Sequence, residues 1–177
     1  MMLNLPNSLS LSRIVLLPVV ILSDHNGFTA LTAACLTLAI VSDLVDGPIA
    51  RRRGYSSAAG TLIDHGSDAS FVTGFSLWLA LANALPLLLA PLIAIAFVQY
   101  LLDALWLRRP GSRPSRLGRF NGIGYYVVCV AAWINLRLLN LPIVEVSVNL
   151  LAWTLAVTTV VSILTRITFT VRRIRRF

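Results

Sequence analysis

Apolar runs of roughly 20 residues follow one another along this 177-residue chain, broken by short polar or proline-bearing stretches and by no long polar segment. The pattern predicts an all-α, polytopic membrane protein with six transmembrane helices. The first helix opens at Arg13 with IVLLPVVIL, kinked or started at Pro18, and stops at the turn-like SDHNG of residues 23–27. The others are expected over 29–53, 60–83, 87–107, 122–136 or a little beyond, and 144–170. The eleven residues before the first span, broken at Pro6, fit a short interfacial segment. The first apolar run is too short for a cleaved signal peptide, is closely followed by further apolar segments, and has no small-residue cleavage pattern.

Composition agrees with this pattern. Hydrophobic residues make up 57% of the chain and charged residues 12%, where a soluble domain has about a quarter charged. With no linker or repeat visible, residues 1–177 read as a single membrane domain. Cys35 and Cys129 lie inside apolar runs and give no framework for disulfides or structural zinc.

All fifteen basic residues are arginine, and the net charge is +8. Such a charge can suggest nucleic acid, but in a multispan protein arginine clusters at helix ends report orientation and anionic headgroups, so no nucleic-acid partner is expected. Placing the N-terminus in the cytoplasm puts Arg13 and the arginines of 51–53, 108–119 and 166–176 on one side, with Arg137 alone opposite. Six spans then leave both termini cytoplasmic.

Residues 43–68, DLVDGPIARRRGYSSAAGTLIDHGSD, carry four of the seven acidic residues of the chain. Carboxylates near hydrocarbon are costly and usually serve an ion, a substrate or a proton. The second helix descends to the cytoplasmic face and the third rises from it, so Asp43, Asp46, Asp64 and Asp68 are expected at one depth. Spacings of three and four put each pair on one helix face. Four facing carboxylates repel unless a cation lies between them. Oxygen-only ligation suits Mg²⁺ or Mn²⁺, and with no second histidine or thiolate nearby zinc is disfavoured. Four carboxylates can hold two ions, the recurrent clamp for displacement at phosphorus. Gly47, Ala50 and Gly60 permit close approach of a ligand, although small residues also serve helix packing in membranes. Arg51 is a bidentate cation suited to phosphate oxygens. His65 reads as a headgroup-level bystander.

Taken together, Asp43-x2-Asp46-Gly47-x2-Ala50-Arg51-x8-Gly60-x3-Asp64-x3-Asp68 resembles, at every fixed position, the signature of the CDP-alcohol phosphotransferase family. The resemblance implies that Asp43, Asp46, Asp64 and Asp68 ligate a dinuclear metal site, Mg²⁺ or Mn²⁺, with Asp68 also the general base. It implies that Gly47, Ala50, Arg51 and Gly60 line the CDP pocket, and that an alcohol displaces CMP from CDP-diacylglycerol. It further implies a homodimer in a bacterial-type inner membrane, with its cavity open to the cytoplasmic leaflet.

The acceptor is read from two other stretches. LPNSLSLSRI, residues 5–14, resembles the Pro-Asn, Thr, Arg opening of the phosphatidylglycerolphosphate synthase and cardiolipin synthase branch, with Ser10 in place of threonine. SRLGRFNG, residues 115–122, resembles its Leu-Gly-Lys-x-Lys-Thr element, with Arg119, Asn121 and Gly122 at the two lysines and the threonine. Arg108, Arg109, Arg113, Arg116 and Arg119 form a basic loop, and Arg116 and Arg119 are the candidates for an anionic acceptor, glycerol 3-phosphate in the leading reading. Phosphatidylglycerol, inositol phosphate or another alcohol is the alternative within the class. Gln99 and Asp103, four apart on the fourth helix, are candidates to face the cavity. A divalent-cation transporter or a silent lipid-binding scaffold is the alternative from outside it; no acidic ladder continues through the helices to favour transport.

Overall fold

The computed structural model describes residues 5–52, 58–106 and 116–174, with side chains described over 11–42, at 60, and over 62–102, 117–118 and 120–168. Six α-helices account for nearly all of these residues: α1 (Leu5–His25), α2 (Thr29–Arg52), α3 (Ala58–Leu81), α4 (Leu89–Trp106), α5 (Arg116–Ile134) and α6 (Pro142–Ile174). A π-helical turn, Asn135–Leu139, follows α5, and no strand occurs among the described residues. The helices fall into two compact units, Met1–Trp78 and Leu79–Phe177.

In the first unit α1 is one continuous helix, so the residues from Leu5 to Ser12 are its opening turns. Pro6 causes no break because it lies in the first turn, where an N–H has no intrahelical acceptor. Pro18 lies inside the helix and does not start it; an interior proline is tolerated in an apolar bundle where local adjustments satisfy the freed carbonyl. A tight turn follows, with the Gly27 N–H donating to the Asp24 carbonyl at 3.1 Å and the Phe28 N–H to the Ser23 carbonyl at 2.8 Å. The Ser23 and Thr32 hydroxyls bond across it at 2.8 Å, closing α1 and α2 into an antiparallel hairpin.

Helix α3 runs parallel to α1. Arg13 meets Asp68 near one end, Leu17 fits against Gly74, and Asp24 meets Trp78 near the other, so residue numbers rise together along both helices. A Cβ on Gly74 would lie 2.5 Å from Leu17 Cδ2, so the glycine leaves room for the Leu17 side chain. Val20, Leu36, Ala39, Phe71 and Phe75 fill the apolar interior of this unit.

In the second unit α6 packs against both α4 and α5. Gly124 admits Leu155, whose Cδ2 would stand 2.6 Å from an added Cβ. The turn after α5 is closed by Asn135: its carbonyl accepts the Asn140 N–H at 2.8 Å and its side-chain oxygen accepts the Leu141 N–H at 3.0 Å. Asn140 takes the left-handed conformation, φ 49°, which asparagine tolerates better than most residues. Both helices outrun their apolar stretches, since a helix once formed propagates into polar sequence. Thus α5 starts at Arg116, not at 122, and α6 extends to Ile174, not 170.

Among the described residues two segments, Phe120–Leu139 and Pro142–Thr168, are long and apolar enough to cross a membrane, and Thr29–Ser42 and Leu89–Leu102 are shorter apolar helices. Along α6, Ile143, Leu150, Val157 and Leu164 recur every seven residues, all exposed. The opposite face, with Val148, Ala152, Leu155 and Thr159, is buried. An apolar stripe of that length requires a non-aqueous neighbour.

Candidate active site

The site is assembled from one polar face on each of three helices of the first unit. Asp64 and Asp68 are one turn apart on α3, and His65 falls three residues before Asp68, so helical spacing puts all three on one side. One ligand atom from each lies within 4.8 Å of the others. The helix begins at Ala58, two residues before the expected start, so the carboxylates lie in its second and third turns.

Opposite them stands Arg13 of α1, fully buried. Its Nη1 pairs with Asp68 Oδ1, its Nη2 lies 3.5 Å from Asp64 Oδ1, and its Nε donates to the Ser42 hydroxyl of α2 at 3.4 Å. That hydroxyl donates its own hydrogen to the Ala39 carbonyl at 2.9 Å, leaving its lone pairs for the arginine. A guanidinium stays charged in any protein setting, so one with no exposed surface must be paired. The carboxylates keep 32% and 22% of their side-chain surface exposed, leaving an open side opposite the arginine.

The cluster suits a divalent cation. Two carboxylates supply hard oxygen donors, the imidazole adds a nitrogen that Mn²⁺ accepts, and 4.8 Å is close enough for one ion to be shared after a small side-chain adjustment. Ser42 precedes Asp43 in α2, so the contact from Arg13 brings the backbone ahead of Asp43 to the level of Asp64 and Asp68. The side chains of Asp43, Asp46, Gly47, Ala50 and Arg51 lie outside the described residues, although their backbone continues α2. Gly60 sits one turn before Asp64.

Of the acceptor candidates, Arg116 and Arg119 occupy the first turn of α5, with side chains outside the described residues; Arg108, Arg109 and Arg113 and the Asp103 side chain also lie outside them. Asn121 is buried between α5 and α6: its Nδ2 donates to Thr159 Oγ1 at 3.2 Å and its Oδ1 accepts from Thr158 at 3.0 Å. Tyr125 also bonds to the Thr159 hydroxyl. Asparagine at the second lysine position of the resemblance therefore serves helix packing. The Gln99 amide likewise donates to the Ile163 carbonyl of α6 at 3.1 Å.

Two residues of the site were not legible as such. Arg13 is read from sequence as the head of an apolar span and a match to the branch's opening; its position two turns inside a helix, where a lone arginine must find a counter-ion, was the signal. His65 stands beside two carboxylates on the same face, although nothing in its own sequence context distinguishes it from a headgroup-level residue.

The sequence profile of the CDP-alcohol phosphatidyltransferase family matches residues 3–171. Among curated proteins, the chain is 37% identical over 90 residues to the cardiolipin synthase (CMP-forming) / mitochondrial hydrolase fusion protein of Schizosaccharomyces pombe, covering 51% of this chain and 15% of that protein. It is 33% identical over 132 residues to a putative cardiolipin synthase of Mycobacterium tuberculosis, covering 71% of this chain and 62% of that protein. The chain thus spans less than two thirds of either relative. No solved structure gives a significant match.

Proposed function

This chain belongs to the CDP-alcohol phosphatidyltransferase family, and on that premise we propose that it is a membrane phosphatidyltransferase of phospholipid synthesis, displacing CMP from CDP-diacylglycerol by an alcohol. The observation that carries the reading is the placement of Asp64 and Asp68 on one face of α3, each keeping an open side.

Asp43, Asp46, Asp64 and Asp68, with His65 beside them, would hold two divalent cations, Mg²⁺ or Mn²⁺, which would supply charge neutralisation at the donor diphosphate and so favour CMP as leaving group. Gly47, Ala50 and Gly60 leave room for the nucleotide, and Arg51 binds phosphate oxygens. The acceptor hydroxyl oxygen forms the new bond to the lipid-side phosphorus, the bond from that phosphorus to the CMP oxygen breaks, and the hydroxyl proton passes to Asp68.

The acceptor is a glycerol unit bearing a phosphate. Arg116 and Arg119, at helix spacing on the first turn of α5, favour glycerol 3-phosphate, giving phosphatidylglycerolphosphate. A second reading, phosphatidylglycerol as acceptor, is favoured by the two relatives named as cardiolipin synthases.

Residues 1–177 form a single membrane domain of six spans with both termini and the site on the cytoplasmic side of a bacterial-type inner membrane, working as a homodimer. The exposed stripe of α6 and the one-sided distribution of arginine support the membrane setting. The test is CMP release by the purified full chain in detergent with Mg²⁺ and CDP-diacylglycerol, scored against glycerol 3-phosphate, phosphatidylglycerol and inositol phosphate. No CMP with any acceptor would sink the enzyme reading and reopen that of a transporter or scaffold.

A further inference from the structure

Arg13 and a divalent cation make claims on the same atoms. The guanidinium reaches Oδ1 of Asp68 and Oδ1 of Asp64, and these carboxylates are the ones that the proposed function assigns to metal. It cannot withdraw into water, because it has no exposed surface, and the Ser42 hydroxyl fixes its Nε side. A second positive species arriving on the open side must share or displace this fork, since two cations at one carboxylate pair repel each other.

We infer that Arg13 is a positioning residue that acts as a built-in counter-ion: it holds Asp64 and Asp68 aligned and neutralised before the divalent cation binds, and it sets cation affinity by competing for them. The inference rests on the metal-site reading above. A merely structural clasp between α1 and α3 would lower stability when cut and leave cation affinity unchanged; a counter-ion lowers the one and raises the other. Lysine, with the same charge but no fork, cannot hold both carboxylates in a fixed plane and competes less well.

The experiment measures Mn²⁺ binding to the full chain in detergent, by electron paramagnetic resonance of the free ion, and thermal unfolding with and without Mn²⁺. Arg13→Gln is expected to lower the cation-free melting temperature by a few degrees. It is expected to bind Mn²⁺ on the order of tenfold more tightly than the wild type, so that saturating Mn²⁺ recovers most of the lost stability. Arg13→Lys should fall between the two in both measurements. Unchanged or weaker Mn²⁺ binding by Arg13→Gln overturns the inference. Should that variant fail to fold, Arg13→Lys must still bind Mn²⁺ more tightly than wild type, and equal or weaker binding overturns it. Asp64→Asn separates the two levels of the argument. If it binds Mn²⁺ as the wild type does, the metal site itself is wrong and the inference falls with it; if it loses binding while the Arg13 variants match wild type, only the role of Arg13 fails.

Discussion

The indole Nε1 of Trp78 donates to Oδ2 of the buried Asp24 at 2.7 Å, pinning the far end of α1 to α3 as Arg13 and Asp68 pin the near end. Ten or eleven residues separate the two contacts on either helix, about 16 Å at the rise of an α-helix. The matched lengths keep the two helices in parallel register. The His25 ring, packed edge-on to Trp78 with 5.9 Å between centroids, adds to the same end.

Trp78→Phe keeps the ring and removes the N–H, leaving Asp24 one donor short. The expected cost is about 1–3 kcal/mol, seen as a lower melting temperature in detergent, while CMP release per folded molecule stays at the wild-type rate. A loss of activity without a loss of stability would place Trp78 in the chemistry and contradict its assignment here.

On the proposed mechanism, Asp68→Asn keeps an oxygen ligand and removes the base. Turnover should be abolished while CDP-lipid binding persists, measured as CMP release and as retention of labelled CDP-diacylglycerol. Near wild-type turnover would show that another group accepts the acceptor's proton.

Chelation offers a test that needs no variant. EDTA should stop CMP release, and Mg²⁺ or Mn²⁺ should restore it, because the carboxylates repel one another and the diphosphate until a cation lies between them. Activity that survives exhaustive chelation would rule out the cation requirement.

Arg119→Ala should raise the concentration of anionic acceptor needed for half-maximal CMP release and leave CDP-lipid affinity nearly unchanged. Equal loss of both would point to a shared site or to misfolding. Run with glycerol 3-phosphate and with phosphatidylglycerol, the same variant also shows which acceptor depends on that cation.

Thr159→Val is close to isosteric and removes the hydroxyl shared by Tyr125 and Asn121. Inside a membrane each interhelical hydrogen bond contributes about 0.6 kcal/mol, so the loss should be about 1 kcal/mol by denaturation in mixed micelles. A loss several times larger would mean that the cluster also excludes an unpaired group from lipid.

The helices were legible because apolar runs and proline or glycine breaks mark them at low resolution, and the pairing of Asp64 with Asp68 because a four-residue spacing fixes a helix face. Boundaries were less so. Sequence polarity suggested that residues 116–121 form a loop, yet backbone hydrogen bonding carries α5 through them. Pro6 suggested a break that α1 does not make, since it lies in the first turn, and Pro18 lies inside the helix and does not start it. Arg13 shows the deeper limit: periodicity locates a residue on its own helix, whereas a counter-ion fifty-odd positions away is a tertiary fact. Asn121 stands where the resembling acceptor element has its second lysine, and only the threonines of α6 show that its amide is committed to helix packing.

The polar cluster between α5 and α6 bears on how the chain enters its bilayer. Asn121, Tyr125, Thr158 and Thr159 satisfy one another across two consecutive helices, and Asn135 closes the turn between them with its own backbone and side chain. The threonine hydroxyls also donate to carbonyls of their own helix, but the Asn121 amide and the Tyr125 hydroxyl find these partners only on α6, and on a hairpin they are matched before any other helix is needed. A variant that breaks this match between the two segments long and apolar enough to span a membrane is therefore expected to show its defect in biogenesis before it shows one in catalysis.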